Sequence, residues 1–337
     1  MGEVRRPTLR DVAARAGVSF KTVSRVVNDE PGVSPVLTER VRQAVDELGF
    51  RPNVGARVLR RADARTASIG LLLDDVADPF SATLLRAVQD AAVARGLAVL
   101  CASADGDPER ERSLVEAFAA RGTDGLILVP SGADQSYLAA EVASGTAVVC
   151  VARAPRRLDV DAVVATDATG AASGVRHLAA HGHARIAFLG EGDGGEGLAG
   201  YRAGLEAAGL VSDPALVVAD LADAALADAA VGTLFRTTDP PTALFTARDA
   251  VTIAALRALH RLGLQRLVAL VGFGDFVTAD LLSPGITVVA QDPAGIGRRA
   301  AYLLFARMAG EAGPPATHHV PTVLIPRGSG ELPPPPR

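Results

Sequence analysis

Apolar positions along this chain keep two rhythms, a helical one up to about residue 50 and, beyond residue 67, short apolar runs alternating with longer amphipathic stretches. In the first region Thr8 caps a helix and Asp11 completes a capping-box-like start, with Val12, Ala13 and Ala16 as an apolar stripe and Gly17 as the stop. Ser19 caps a second helix that turns Val23, Val26 and Val27 toward the first and leaves Phe20, Lys21, Thr22 and Arg25 outward. The pair predicts a helix-turn-helix. A third helix is predicted from cap Ser34, with Pro35 in its first turn, through Val41, Val45 and Leu48 to Gly49. Asn53 then caps a helix of barely two turns, too short to be stable alone in water.

In the second region buried parallel strands are predicted at Ser68–Leu73, Ala98–Cys101, Gly125–Val129, Ala147–Val151, Ala162–Ala165, Arg185–Leu189, Thr242–Thr246 and Leu267–Gly272. Between them helices are predicted at Ser81–Arg95, Pro108–Arg121, Gly170–His181, Leu198–Ala208, Ala222–Arg236 and Ala250–Leu262. Repeated strand and helix implies doubly wound α/β sheets, whose ligands bind beyond the carboxyl ends of the strands, here in a crevice between two lobes.

At 337 residues the chain exceeds what one core usually holds. Its net charge of -4 is unevenly divided: residues 1–65 carry 13 Lys and Arg against 8 Asp and Glu, and the remainder 21 against 30. Only the head attracts phosphates. The amino terminus lacks the apolar core of a signal peptide and no apolar run reaches membrane-spanning length, so a cytoplasmic protein without membrane partners is expected. Cys101 and Cys150 stand in apolar runs and are expected as buried, reduced thiols.

The outward face of the second helix offers what a major groove requires. Arg25 takes two acceptors of a guanine edge, Lys21 takes one, Phe20 packs on a thymine methyl, and Thr22 and Ser24 suit phosphates. Thr8, Ser19 and Asn28 of the same segment complete the expected contacts. With these residues, the stretch Val41 to Asn53, and Ala56 and Leu59, the chain resembles the LacI family of bacterial transcription regulators. That resemblance implies that the short helix beginning at Asn53 forms on the operator and that Leu59 wedges into the minor groove, bending the duplex.

The resemblance extends over the body through Ile69-Gly-Leu, Pro79-Phe80, His177-Leu, Ala199-Gly-Tyr201, Val271-Gly-Phe, Gln291-Asp292 and Arg327-Gly-Ser. It implies a two-lobed, periplasmic-binding-protein-like fold. The first lobe is then about Ala67 to Val164 plus a return near Ala294 to Pro326. The expected organisation is an all-α three-helix helix-turn-helix head at 1–52, a hinge helix and linker at 53–66, an effector-binding and dimerisation domain at 67–327, and a disordered tail at 328–337.

Sugar-binding members of the family place polar contacts where this chain has Ala152, Gly197, Arg248 and Gly274. Sugar hydroxyls need paired donors and acceptors, so an ordinary neutral sugar is not the expected effector. The remaining crevice candidates are Asp74, Asp75, Asp78, Phe80, Arg153, Asp193, Arg248, Asp249 and Asp275. Of these Arg248 matters most, either as a partner for a phosphate or carboxylate or held by Asp249 or Asp275. The Gly190-Glu-Gly-Asp-Gly-Gly195 run has dinucleotide-fingerprint spacing, but Glu191 and Asp193 would repel a pyrophosphate.

No nucleophile elbow, Walker loop or metal-spaced His pair appears, so no enzyme, cofactor or metal is expected. His177, His181 and His183 flank a helix end where cationic character is favoured, and His318 and His319 adjoin the Pro-rich tail. The sequence thus predicts a dimeric repressor that reads a pseudo-palindromic double-stranded operator and answers to an unidentified small molecule. The alternative is a regulator that has lost such sensing and answers to a partner protein or to its own abundance.

Overall fold

Capping residues and glycines set the head's three helices. The computed structural model describes residues 7–27, 30–50, 66–132, 134–190, 195–219, 221, 224–311 and 313–336. Helix α1 (Leu9–Ala16) opens on a capping box between Thr8 and Asp11 and closes at Gly17, whose φ of 62° is left-handed. Helix α2 (Phe20–Val27) begins where Ser19 Oγ accepts from Thr22 N at 3.1 Å. Helix α3 (Pro35–Leu48) runs from cap Ser34 to Gly49. Val12, Ala16, Val23, Val26, Val41, Ala44 and Phe50 form their shared core. Arg40 donates to the carbonyls of Ala16 and Gly17, satisfying the open end of α1.

The chain divides into two compact units, Met1–Thr66 and Ala67–Arg337. Within the second are two six-stranded sheets. The first contains β1 (Ser68–Leu73), β2 (Ala98–Ser103), β3 (Gly125–Leu128), β4 (Ala147–Val151), β5 (Asp161–Ala165) and β11 (Thr317–Val320), in the order β11-β5-β4-β3-β1-β2, all parallel. Alternate residues of β1 serve opposite faces. Ile69, Leu71 and Leu73 join a core with Leu84 and Val88 of α4 (Pro79–Val93), whereas Leu72 joins Val115 and Phe118 of α5 (Pro108–Ala120). The short α6 (Ala139–Ala143) precedes β4.

The second sheet contains β6 (Ile186–Leu189), β7 (Val217–Val218), β8 (Ala243–Thr246), β9 (Ala269–Phe273), β10 (Thr287–Ala290) and β12 (Val323–Ile325), in the order β12-β10-β9-β8-β6-β7. Only β12 runs antiparallel to its neighbour among these strands. Around it stand α7 (Asp167–Ala180), α8 (Glu196–Ala207), α9 (Ala224–Leu234) and α10 (Asp249–Leu262). Gly200 lets α8 approach α7 closely, since a Cβ there would lie 2.2 Å from the Ala168 carbonyl oxygen.

The chain passes between the lobes three times, at 165–167, 290–293 and 320–323. Helix α11 (Pro293–Ala309) packs on the first sheet, contributing Ile296, Ala300 and Leu304 to its core. The first lobe's return therefore ends near Val320, and β12 belongs to the second lobe, short of the Pro326 expected from the resemblance.

Two expectations fail here. The tail at 328–336 is ordered: Ser329 is 2% exposed, and Leu332 packs against the core of Phe188, Tyr201 and Phe245. Proline lacks an N–H to satisfy, so an extended Pro-rich segment can lie on a protein surface without a ladder partner. Cys101 is exposed while Cys150 is buried, because β2 is a sheet edge and its apolar run is covered only in part. Among the described residues no helix is long and apolar enough to cross a membrane.

Candidate DNA interface and effector cleft

Burial of Val23 and Val26 against α1 and α3 forces the opposite face of α2 outward. Phe20 is 45% exposed, Lys21 is exposed, and Thr22, Ser24 and Arg25 are half-buried. Ser19, Lys21, Thr22 and Arg25 line a shallow concavity of about 180 Å³ with Gly32, Val33, Ser34 and Leu37. Arg25 Nε lies 4.0 Å from Glu30 Oε2, and the Arg25 carbonyl accepts from Glu30 N at 2.8 Å. Sequence reasoning passed over this second wall, although the Pro31-Gly32 turn signal between α2 and α3 marks it. Thr8 stands at the amino end of α1, its Oγ1 donating to Asp11 Oδ2 at 2.7 Å. Asn28, Asn53, Ala56 and Leu59 lie outside the described residues.

In the body, strand ends gather most of the cleft candidates. Asp74 follows β1 and Arg153 follows β4; Arg153 Nη2 donates to Asp74 Oδ2 at 3.0 Å and Nη1 to the Pro130 carbonyl at 3.0 Å. Arg153 N also donates to the Val151 carbonyl at 2.7 Å across Ala152, whose φ of 63° makes this a tight γ-turn in the left-handed region. That turn aims Arg153 back over β1. The segment after β3 that carries Pro130 is anchored by buried Glu111, which accepts from Ser131 N at 2.6 Å and Tyr137 Oη at 2.8 Å.

Phe80, in the first turn of α4, is half-buried and packs on the first lobe's core. Asp78 caps α4 through Phe80 N at 3.0 Å. Burial is the largest influence raising its carboxyl above the ordinary range; the Phe80 N–H opposes it, Asp249 adds to it, and Arg248 opposes it. Asp249 and Arg248 belong to the second lobe, so this group senses both lobes. Asp75 Oδ1 accepts from Ala77 N at 2.8 Å.

Asp275 is committed to Arg327, whose two terminal nitrogens donate to its two oxygens at 2.6 and 2.7 Å. It therefore clamps the returning chain. Arg248 is exposed at the start of α10, its carbonyl accepting from Thr252 N and Thr252 Oγ1. Gly274 takes a φ of 87°, and a Cβ there would lie 3.3 Å from Asp249 Cβ. A Cβ on Gly197 would lie 3.0 Å from that of Ala247. At both glycines an added side chain would crowd the Cβ of a neighbouring residue, so little room remains there for a larger polar group. Asp193 and the centre of the Gly190–Gly195 run lie outside the described residues.

Of the histidines near the end of α7, His183 departs from the expected cationic role. His183 is 1% exposed, with Nε2 donating to the Leu332 carbonyl at 2.7 Å and Nδ1 2.9 Å from Thr242 Oγ1. Burial lowers its pKa, the Leu332 bond opposing and His181 assisting. His177 pairs with Glu331, which also accepts from Thr287 Oγ1 at 3.0 Å. These groups hold the tail, and no cluster suited to a metal ion occurs among the described residues.

A sequence model described as bacterial regulatory proteins, lacI family, matches residues 8–53, and one described as a periplasmic binding protein-like domain matches residues 175–330. The chain is similar to the HTH-type transcriptional regulator CelR of Thermobifida fusca, at 34% identity over 97% of this chain and 99% of that one. It is similar to the HTH-type transcriptional regulator DegA of Bacillus subtilis, at 30% identity over 84% and 86%. Among solved structures it resembles the lac repressor dimer bound to operator and the anti-inducer ONPF, with 26% identity, coverage of 97% and 99%, and a TM-score of 0.85. A CelR–cellobiose complex matches at 32% identity, 96% and 100% coverage, and a TM-score of 0.70.

Proposed function

We propose a function from one premise: the chain belongs to the lacI family of bacterial regulatory proteins. It is a DNA-binding transcriptional regulator. Within that role we read it as a repressor that binds a two-fold symmetric operator as a homodimer, with no catalysis of its own. The observation that carries this reading is the outward face of α2, which sets Lys21 and Arg25 beside Ser19, Thr22 and the 32–34 wall in one concavity and leaves Phe20 exposed on the same helix. Arg25 and Lys21 read base edges, Phe20 packs on a thymine methyl, and Thr8, Ser19, Thr22 and Ser24 meet the backbone. Asn28, Asn53 and Ala56 add contacts, and Leu59 is the wedge that bends the centre.

Selection from random duplexes followed by footprinting tests the reading. A symmetric site is expected, with the preference over scrambled competitor lost in R25A; an asymmetric footprint, or an unchanged preference in R25A, contradicts it.

For the effector, we infer a small molecule other than an ordinary neutral sugar. The cleft has Ala152, Gly197, Arg248 and Gly274 at its walls, and Asp74 and Arg153 already satisfy one another. Because a CelR structure holds cellobiose and the ribose operon repressor of Escherichia coli is 29% identical over 96% of this chain, cellobiose and ribose head the panel for calorimetric titration, followed by sugar phosphates and organic acids. Tight binding of either unmodified sugar overturns the inference. The Asp74–Arg153 closure also favours a second reading, a regulator without small-molecule sensing, which a flat response across the whole panel with operator binding intact would select.

A further inference from the structure

The outer edge of the first sheet carries a cavity that neither the cleft nor the head uses. It measures about 450 Å³ and is bounded by Gly295 and Arg299 of α11 on one side and by Thr317, His318, His319, Val320 and Pro321 on the other. Arg299 stands on the exposed face of α11, its guanidinium carbon 5.5 Å from the Tyr302 ring centre and its Nη2 3.1 Å from His318 Nδ1. A guanidinium only donates, so Nδ1 accepts and the His318 proton sits on Nε2.

Strand β11 ends the sheet. The Ala316 and Val320 carbonyls accept from Ala162 N and Thr166 N, so by the alternation of a parallel ladder Thr317 and His319 turn their own peptide groups to the open side. The lining therefore gathers the Arg299 guanidinium, the His318 imidazole that it meets and the outward peptide groups of Thr317 and His319, with no carboxylate among its residues. Asp292, at the start of α11, is engaged by Gly295 N at 2.8 Å and by Arg298 at 3.6 Å.

We propose that this cavity is a second ligand site, which takes the oxyanion head group, phosphate or carboxylate, of a small metabolite and biases the movement of the lobes. A planar guanidinium fork matches both head groups, and the volume falls within the roughly 300–1,000 Å³ of small-molecule sites. Location supplies the coupling. Gly295 lies just past the crossing at 290–293, and Val320 and Pro321 lie in the crossing at 320–323, so an anion bridging Arg299 to β11 ties together two of the three segments on which the lobes turn. Such a ligand shifts the lobes as far as its affinity differs between their arrangements.

The test follows histidine ring signals of the full-length protein by NMR, titrating inorganic phosphate and, separately, citrate at constant ionic strength with chloride as the control. His318 and His319 are assigned with H318Q and H319Q. A saturable shift of His318 is expected, with affinity about tenfold weaker in R299A and partly restored in R299K. Shifts that rise linearly, appear equally with chloride or persist unchanged in R299A overturn the site. The anion that saturates identifies the head group. At saturation, operator affinity is expected to change by about fivefold in the wild type and not in R299A; an unchanged affinity overturns the coupling.

Discussion

Tyr201 shows how one side chain joins a family-like motif to a core. It is fully buried against Phe188, with ring centres 5.3 Å apart, and its hydroxyl donates to the Ile186 carbonyl at 2.8 Å. Burial pushes its pKa up to about 12, so the hydroxyl stays protonated and keeps donating across the physiological range. Tyr201→Phe keeps the ring and orphans a buried carbonyl, and is expected to lower the unfolding free energy by about 1–2 kcal/mol, read by chemical denaturation. Ala152 is a different case. Its left-handed φ is strained for alanine, and it occurs where the chain must turn Arg153 back toward Asp74.

At the scale of elements, the tail at 328–336 behaves as a strap on the second lobe. Ser329 Oγ donates to the Leu270 carbonyl at 2.6 Å and accepts from Thr287 N at 2.9 Å, Glu331 meets His177 and Thr287, and the Leu332 carbonyl accepts a hydrogen bond from His183 Nε2. His183 donates to that carbonyl in either protonation state, but burial disfavours the imidazolium, so its folded pKa lies below the ordinary 6.5. Between those two values the unfolded chain takes a proton that the folded chain refuses. Stability is therefore complete above about pH 6.5 and falls as the pH drops toward the lower folded value. Thermal melting between pH 7.5 and 5.5 is expected to show this decline, and H183Q, which cannot titrate, to flatten it; an identical slope in H183Q would remove His183 as the cause. The edge strand β2 makes the complementary point, since an apolar strand at a sheet margin keeps one side open.

For the whole molecule, charge is partitioned by domain: 13 basic against 8 acidic residues up to residue 65, and 21 against 30 beyond it. DNA affinity should then depend strongly on salt through the head alone, with about one unit of log–log slope lost for each phosphate-contacting cation removed. Lys21→Gln is expected to shallow the slope by about one unit if Lys21 contacts phosphate, and to leave it nearly unchanged while relaxing base preference if it reads a base edge as proposed. Affinity measured between 50 and 200 mM salt decides, and a variant matching the wild type in both respects would remove Lys21 from the interface. In the body, three crossings rather than one covalent hinge join the lobes, so a ligand at the proposed outer-edge site would act on different segments from one in the cleft.

The head was legible residue by residue because its information is local. Thr8 with Asp11, Ser19, Ser34 with Pro35, and the stops at Gly17 and Gly49 decide helix ends within a few positions of themselves, and valine spacing decides the buried face. Strands β1 to β6, β8 and β9 were legible for the same reason, as apolar runs long enough to be buried, whereas β7, β10 and β11 were not predicted. What spacing cannot carry is which strand becomes an edge, and so Cys101 is exposed while Cys150 is buried. Nor can it carry which distant groups meet: Asp275 with Arg327, Arg153 with Asp74, and His183 with the carbonyl of Leu332 are brought together only by strand order and chain crossing. Those meetings turned an expected effector contact into a clamp and an expected loose tail into a packed strap, because burial and pairing are properties of the assembled sheets and not of any window of sequence.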